Sequence, residues 1–462
     1  MDFIASFFAK INGFVWGPWM LVFLVGTGVF LTFKLGFLQF FKLPYALKLS
    51  IWHKRVSPDL GQEGDISHFG ALMTALAATI GTGNIVGVAT AVILGGPGAI
   101  FWMWVTAIFG MATKYGEAVL AIKYRVVDKT GHMAGGPMYF LERGLGLKWL
   151  GVLFAIFGVM ASFGIGNMSQ SNSVANNVFS AFGVQPWISG VVLAVLTGIV
   201  ILGGVRSIAA ASSLIVPFMA IFYIFFGLLI IILNFELLPK ALGVIFGSAF
   251  SLKAGLGGLI GVTIRYGVAR GVFSNEAGLG SAPIAAAAAI TDHSCRQALV
   301  SMTGTFIDTI IICSINGIVL VMSEFYLEAS PDMAAALTSA SFNSFLPNVG
   351  ETVVVISLIF FAYSTILGWS YYGERCLYYL TESKLASFFY RLIFSIFILI
   401  GAAVELRLVW DISDTFNGAM AIPNLIGLVA LSGVIVSQTK DFNQKLLQEK
   451  KGNKAAFEPE IT

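Results

Sequence analysis

Charge is scarce in this chain of 462 residues. Aspartate, glutamate, lysine and arginine together make up 11%, where a water-soluble chain carries roughly 25%. The net charge of +3 is small, and the basic residues behind it sit mostly in loops, which argues against a nucleic-acid partner. Cysteine is scarcer still. Cys295, Cys313 and Cys376 fall at no disulfide or metal spacing. The four histidines form no cluster, and His68, His132 and His293 fall in or near expected loops. No nucleophile-and-base pair stands out either, so an intramembrane enzyme or a zinc site is not indicated. The short alternating segments of a membrane β-barrel are also missing.

What is present is hydrophobic length. Apolar residues make up 57% of the chain and mean hydropathy is +0.86. Runs of about twenty apolar residues recur along it, the mark of an all-α polytopic membrane protein. Eleven spanning segments are expected. The first lies near 16–38; it lacks a basic leader and is too long for a signal sequence, so it reads as an uncleaved helix. Five more lie near 66–93, 98–123, 150–180, 186–204 and 210–234, and a further five near 255–290, 296–322, 350–380, 385–403 and 413–437. Amphipathic stretches near 237–251 and 332–346 are expected along the outer surface, and the tail after Gln438 is polar and expected to be disordered at its end.

Loop charges orient the plan. Lys42, Lys48, Lys54 and Arg55 follow the first span, and Lys123, Arg125, Lys129, Arg143 and Lys148 follow the third. Arg206, Arg296, Arg375, Lys384, Arg391 and the lysine-rich tail fall on the same side, whereas Glu324, Glu328, Asp332 and Glu351 fall opposite. The positive-inside rule puts the first terminus outside and the tail in the cytoplasm of a cell (inner) membrane, and an odd number of crossings requires opposite ends.

After the first span, ten remain as two sets of five. Each set opens with a long segment interrupted by glycine: Thr79–Asn84, which contains Gly81-Thr82-Gly83-Asn84, and Gly271–Ser281, followed by Pro283. An odd number of helices per set makes the halves face opposite ways. Interrupted helices at matching places in inverted halves point to a transporter's site. The layout divides the chain into an N-terminal helix and basic linker (1–65), a first repeat (66–234), a second repeat (235–437) and a tail (438–462). An unwound turn at membrane depth must line a cavity or be buried in protein. Its free N–H groups hold a carboxylate, and its carbonyls hold a small cation or an ammonium group, so one break supplies both charges for a zwitterion. Glycine alone at such places often means only close helix packing; two polar, glycine-rich interruptions at equivalent positions favour a site.

The run Gly95–Thr113, the break at Gly81–Asn84, and the stretches Gln170–Ala175, Arg270–Pro283 and Thr365–Glu374 together resemble the alanine or glycine:cation symporter family, over nearly the whole chain and in order. The resemblance implies the leucine-transporter-like fold, with two inverted five-helix repeats after an extra N-terminal helix. It implies import of alanine or glycine coupled to Na⁺, or less often to H⁺. By position it implies that Thr82, Gly83 and Asn84 hold the substrate from the first core helix, Gln170 from the third, Phe273 and Ser274 from the second break, and Thr365 and Trp369 from the eighth. Trp369 and Phe273 would wall a small pocket that excludes leucine-sized groups. For Na⁺ it implies the carbonyls of Ala77 and Ile80 and the hydroxyls of Ser364 and Thr365, neutral oxygens suited to a hard monovalent ion.

Charged residues at membrane depth mark function by default. Glu117, Arg265, Arg270, Glu276 and Asp308 fall inside expected spans. Arg270 and Glu276 flank the second break and are expected to pair or to cap its ends. Asp308 reads as a proton carrier, if coupling uses H⁺, or as a buried structural carboxylate. Lys114 and Glu117 are expected near the cytoplasmic surface as helix anchors. The leading reading is a secondary active symporter, with substrate, Na⁺ and membrane lipid as its partners and no bound cofactor. A channel needs rings of charged or carbonyl groups, and a sensor needs a signalling domain; neither feature stands out.

Overall fold

The computed structural model describes residues 2–52, 64–250, 258–330, 333–404 and 407–455. Lys54, Arg55 and Asp332 lie outside them. Helices dominate. The only sheet among the described residues is the two-stranded ladder β1 (Val126–Val127) and β2 (Met133–Ala134) in a loop.

The expected first helix near 16–38 is present within the apolar span Lys10–Lys34. The chain forms α1 (Asp2–Val15) and α2 (Pro18–Lys34), with a joint at Trp16-Gly17. Pro18 lacks an N–H and disfavours helix at the residue before it, so the first helix stops and a second starts with proline in its first turn. Gly36 and Phe37 then take positive φ and turn the chain. A further helix, α3 (Leu38–Trp52), follows where the sequence reads as a basic linker.

The first core segment is α4 (His68–Thr79), a π-helical turn at Gly83–Gly87 and α5 (Val88–Gly95); its two halves are bent by 53°. Ser67 starts it, its hydroxyl accepting from the Gly70 N–H at 3.0 Å. Next come α6 (Ala99–Lys123), a short α7 (Pro137–Leu145), and α8 (Lys148–Phe163) joined through a π-helical turn at Gly164–Met168 to α9 (Ser169–Phe182). Then α10 (Pro186–Ile201) and α11 (Gly204–Leu233) close the first half. The surface helix α12 (Leu238–Ala249) leads to α13 (Gly258–Asn275), an irregular stretch and α14 (Pro283–Ala287). After these, α15 (Ser294–Thr305) passes through a π-helical stretch at Phe306–Cys313 into α16 (Ser314–Ser323). The last elements are the surface helix α17 (Ala334–Phe345), α18 (Gly350–Thr381), α19 (Lys384–Ala403), α20 (Arg407–Ala430) and α21 (Ser432–Ala455).

Seven of the described helical segments are long and apolar enough to cross a bilayer, and two bent pairs raise this to nine. The shorter apolar α10 and the interrupted α13–α14 account for the other two expected spans. Past Gln438, α21 continues in helix to Ala455, and the end of the tail, for which disorder is expected, lies outside the described residues.

The outer helices identify their solvent. Ile199 on α10, Leu214 and Ile221 on α11 and Ile396 on α19 are exposed. So large an apolar rim suits acyl chains and not water. The inner helices α4, α6, α13, α15 and α18 pack on one another and bury the polar residues. Glycines set how close they come. A Cβ at Gly368 of α18 would lie 2.7 Å from the Ala78 backbone of α4. The approach draws the two backbones together beside the first break.

Candidate functional site

At the first break the helix gives up its own hydrogen bonds to side chains. In a continued helix the Gly81 N–H would donate to Ala77 and the Thr82 N–H to Ala78. Instead Gly81 donates to Asn84 Oδ1 at 2.9 Å, and Thr82 donates to Gln170 Oε1 on α9 at 3.3 Å. Gln170 is fixed in turn by donating to the Ile165 carbonyl at 3.0 Å, inside the π-helical turn that aims it inward. The Thr82 hydroxyl is fully buried and has no partner. Such an orphan is costly in an interior and leaves a hydroxyl free for a ligand or water.

Around this turn stand the other residues singled out in the sequence. A Cβ at Gly81 would come 2.3 Å from Thr365 Oγ1, so only glycine lets α18 approach here. The Thr365 and Ser364 hydroxyls donate toward the Ile80 carbonyl at 3.3 and 3.5 Å, while both also bond Phe361 O at 2.9 Å. Three neutral oxygens thus gather beside the end of α4. Ala77 is fully buried one turn below, with its usual donor, the Gly81 N–H, turned away. Gly83 faces the Phe273 ring, with a built Cβ 3.2 Å from it, and the Ser274 backbone. Phe273 also carries Arg270 over its ring at 5.3 Å and lines a cavity of about 230 Å³ with Asn12, Trp16, Arg265 and Asp414. Trp369 stands one turn along α18 from Thr365. It packs tightly against Gly166 of the π-helical turn and edge-on to Tyr372 at 5.7 Å, so it reaches the region through the Gln170 element.

Asp308 joins the two interrupted segments. Its carboxylate accepts from Asn84 Nδ2 at 2.7 Å on one oxygen, and from the Ser274 and Thr309 hydroxyls at 2.9 and 2.7 Å on the other. It is wholly buried on the π-helical stretch Phe306–Cys313. These bonds match the reading of Asp308 as a structural carboxylate.

The second break is shorter than the sequence pattern, because α13 continues through Phe273 and Ser274 to Asn275. Glu276, Gly278 and Gly280 then take positive φ. Their peptide groups are met by the protein itself. Glu117 Oε1 on α6 accepts the N–H groups of Gly278 and Gly280 at 3.0 and 3.1 Å, and the Asn424 amide at 2.7 Å. Lys114 donates to the Asn275 carbonyl at 2.8 Å. The expectation that Lys114 and Glu117 anchor a helix near the surface is therefore corrected: both are buried and hold the break. Their spacing of three puts them on one face of α6, and an acid and a base inside an apolar run was the available signal. Arg270 and Glu276 do not pair. Arg270 lies over Phe273, and Glu276 accepts from the Ser281 hydroxyl at 2.6 Å.

Interrupted helices whose polar peptide groups meet inside a lipid-facing shell define a helical membrane transporter. The fold is shared with a solved structure of MhsT in complex with L-phenylalanine, at a TM-score of 0.57 and 15% identity over 82% of this chain and 99% of that one; this places the chain in the leucine-transporter-like class. More particularly, residues 1–458 match the Sodium:alanine symporter family, and the chain belongs to it. It is 63% identical to the sodium/alanine symporter AgcS of Methanococcus maripaludis, over 96% of this chain and 98% of the relative. It is 38% identical to the putative sodium/proton-dependent alanine carrier protein YrbD of Bacillus subtilis, over 99% of this chain and 95% of the relative. The protein is thus a multi-pass membrane transporter and not an enzyme.

Proposed function

We propose that this protein imports alanine, and glycine as a smaller alternative, with Na⁺ as the coupling ion. The observation that carries the reading is the first break, where two consecutive amides have left the helix and the buried Thr82 hydroxyl has no partner. Thr82, Gly83 and Asn84 with Gln170 take the amino acid's polar end, and Ser274 and Thr365 border it. Phe273 and Trp369 limit its side chain to hydrogen or methyl. Na⁺ sits among the carbonyls of Ala77 and Ile80 and the hydroxyls of Ser364 and Thr365. Three of these four groups already converge, which supports the assignment.

Substrate and ion favour the same closed state, so each raises the other's affinity. Residues 66–234 and 235–437 act as inverted repeats, and the broken helices rock against the rest to open the site to one side at a time. The basic loops face the cytoplasm, with the first terminus outside and the tail inside. Uptake of labelled alanine into sealed proteoliposomes tests the proposal. Accumulation should collapse when sodium is replaced by choline. Accumulation driven by a proton gradient alone would replace Na⁺ by H⁺, and saturable binding with no uptake would make the protein a sensor.

A further inference from the structure

We infer that a cavity at the basic face of the membrane domain, lined by no residue of either break, binds the phosphate of an anionic phospholipid headgroup. The cavity measures about 300 Å³ and lies where the ends of α18 and α19 meet the loop carrying β1 and β2. Three permanent cations line it, Arg375, Lys384 and Arg391, against one carboxylate, Glu374. That carboxylate is already used, since Arg391 binds both its oxygens at 2.8 and 2.6 Å. Lys384 has no ion-pair partner among the described residues.

Two of the lining side chains keep buried donors without a partner. Arg375 is 7% exposed, and its Nε–H is buried with no partner. Ser387, 6% exposed, also lines the cavity, and its hydroxyl is buried and unpartnered. An unpaired guanidinium N–H in such a place is expensive, and a phosphate oxygen is a matching acceptor. Lys384 and Ser387 occupy the first turn of the 20-residue α19, where the helix dipole adds to the attraction for an anion.

The flank of the cavity identifies the source of the phosphate. Phe388 lines it, and Leu385, Phe388, Phe389 and Leu392 on the same stretch of α19 are exposed large apolar residues. Acyl chains can lie along them while the headgroup reaches inward. Basic pockets between membrane helices on the basic face suit anionic headgroups in this way.

Occupancy has a route inward. Arg375 also holds Asp128 at 3.0 Å. Asp128 accepts the His132 N–H at 3.1 Å, and the His132 ring meets Asp65 at 3.0 Å. The Asp65 N–H donates to Ala288 O at 2.8 Å, just beyond α14. Burial alone would raise the Asp128 carboxyl, but bonds from Thr130 and the His132 N–H and the Arg375 charge hold it below its ordinary value. It stays charged and keeps Arg375 in place.

The test uses the full-length protein in neutral detergent. Thermal unfolding is followed while phosphatidylglycerol, phosphatidylcholine or inorganic phosphate is titrated in, and native mass spectrometry counts retained lipid. Phosphatidylglycerol should raise the midpoint and be retained as a discrete adduct; phosphatidylcholine should do neither. Lys384→Gln, on an exposed side chain that folding does not need, should weaken the phosphatidylglycerol effect by about 5-fold, the equivalent of about 1 kcal/mol per basic residue near a lipid surface. Ser387→Ala should weaken it less, and Lys440→Gln on the tail helix should leave it unchanged. Equal stabilisation by both lipids, or an unaltered phosphatidylglycerol response in Lys384→Gln, overturns the site. An equal response to inorganic phosphate at matched concentration overturns the lipid as its source. None of these readouts depends on transport.

Discussion

The two interrupted helices look alike in sequence and differ in chemistry. At the first, the displaced amides are met by neutral, adaptable groups: the Asn84 and Gln170 carbonyls, with the Thr82 hydroxyl left over. At the second, the corresponding peptide groups are met by an acidic and a basic side chain fixed on a neighbouring helix, Glu117 on the N–H groups of Gly278 and Gly280 and Lys114 on the Asn275 carbonyl. A carboxylate substrate competes poorly with a carboxylate already built in. The first break is thus suited to exchange ligands and the second to hold a shape. Asp308 ties them together through Asn84 and Ser274.

That contrast can be broken from either side. The largest effect is expected for Gly81→Ala, whose methyl would fall 2.3 Å from Thr365 Oγ1; alanine uptake should be lost, as read in proteoliposomes. Glu117→Ala leaves the Gly278 and Gly280 N–H groups without an acceptor and takes one of two acceptors from the Asn424 amide. At about 1–3 kcal/mol each, it should cost several kcal/mol of stability and sharply lower the thermal midpoint. Glu117→Gln keeps an acceptor and should recover much of that stability, with alanine affinity close to that of the unaltered protein. If Glu117→Gln instead changes substrate selectivity, the second break belongs to the binding site and the contrast fails.

Gln170→Ala removes the partner of the Thr82 N–H. Leaving that buried N–H unpaired should cost about 1–3 kcal/mol of stability, read from the thermal midpoint, and alanine binding in sodium should weaken with it, measured at equilibrium. Trp369→Ala should admit leucine-sized competitors at a smaller cost in alanine uptake, as read from inhibition by a panel of amino acids.

The smallest effect concerns the tail. Burial alone would raise the Asp292 carboxyl, but hydrogen bonds from Arg296 and Lys445 outweigh it and bring it down from 3.8 to about 2. The docking of α21 that this supports is complete above pH of about 4 and is lost as pH falls through about 2. Asp292→Asn should flatten this acid limb in the thermal midpoint.

Much of this was legible in the sequence, for identifiable reasons. Glycine and polar residues inside apolar runs have few explanations, so the breaks near Gly81 and within Gly271–Ser281 stood out, as did the surface helices α12 and α17. The partners across space did not. That Glu117 reaches Gly278, 161 residues away, depends on how α6 docks, which spacing along one helix does not reveal. The π-helical turns at Gly164–Met168 and Phe306–Cys313 escaped as well, because a single widened turn leaves the hydrophobic pattern on either side nearly intact. The joint at Trp16-Gly17 was readable from Pro18 but hidden by the continuous hydrophobicity around it.

One contact of the extra N-terminal helix carries a last consequence. Leu24 of α2 lies against Gly278, where an added Cβ would come 2.7 Å from its methyl, and Gly28 lets α2 press onto the Phe109 backbone of α6. The supernumerary helix is therefore a gasket. It covers the back of the second interruption and shields those peptide dipoles from acyl chains, so removing residues 2–34 would open a leak for lipid onto bare backbone rather than trim a dispensable appendage.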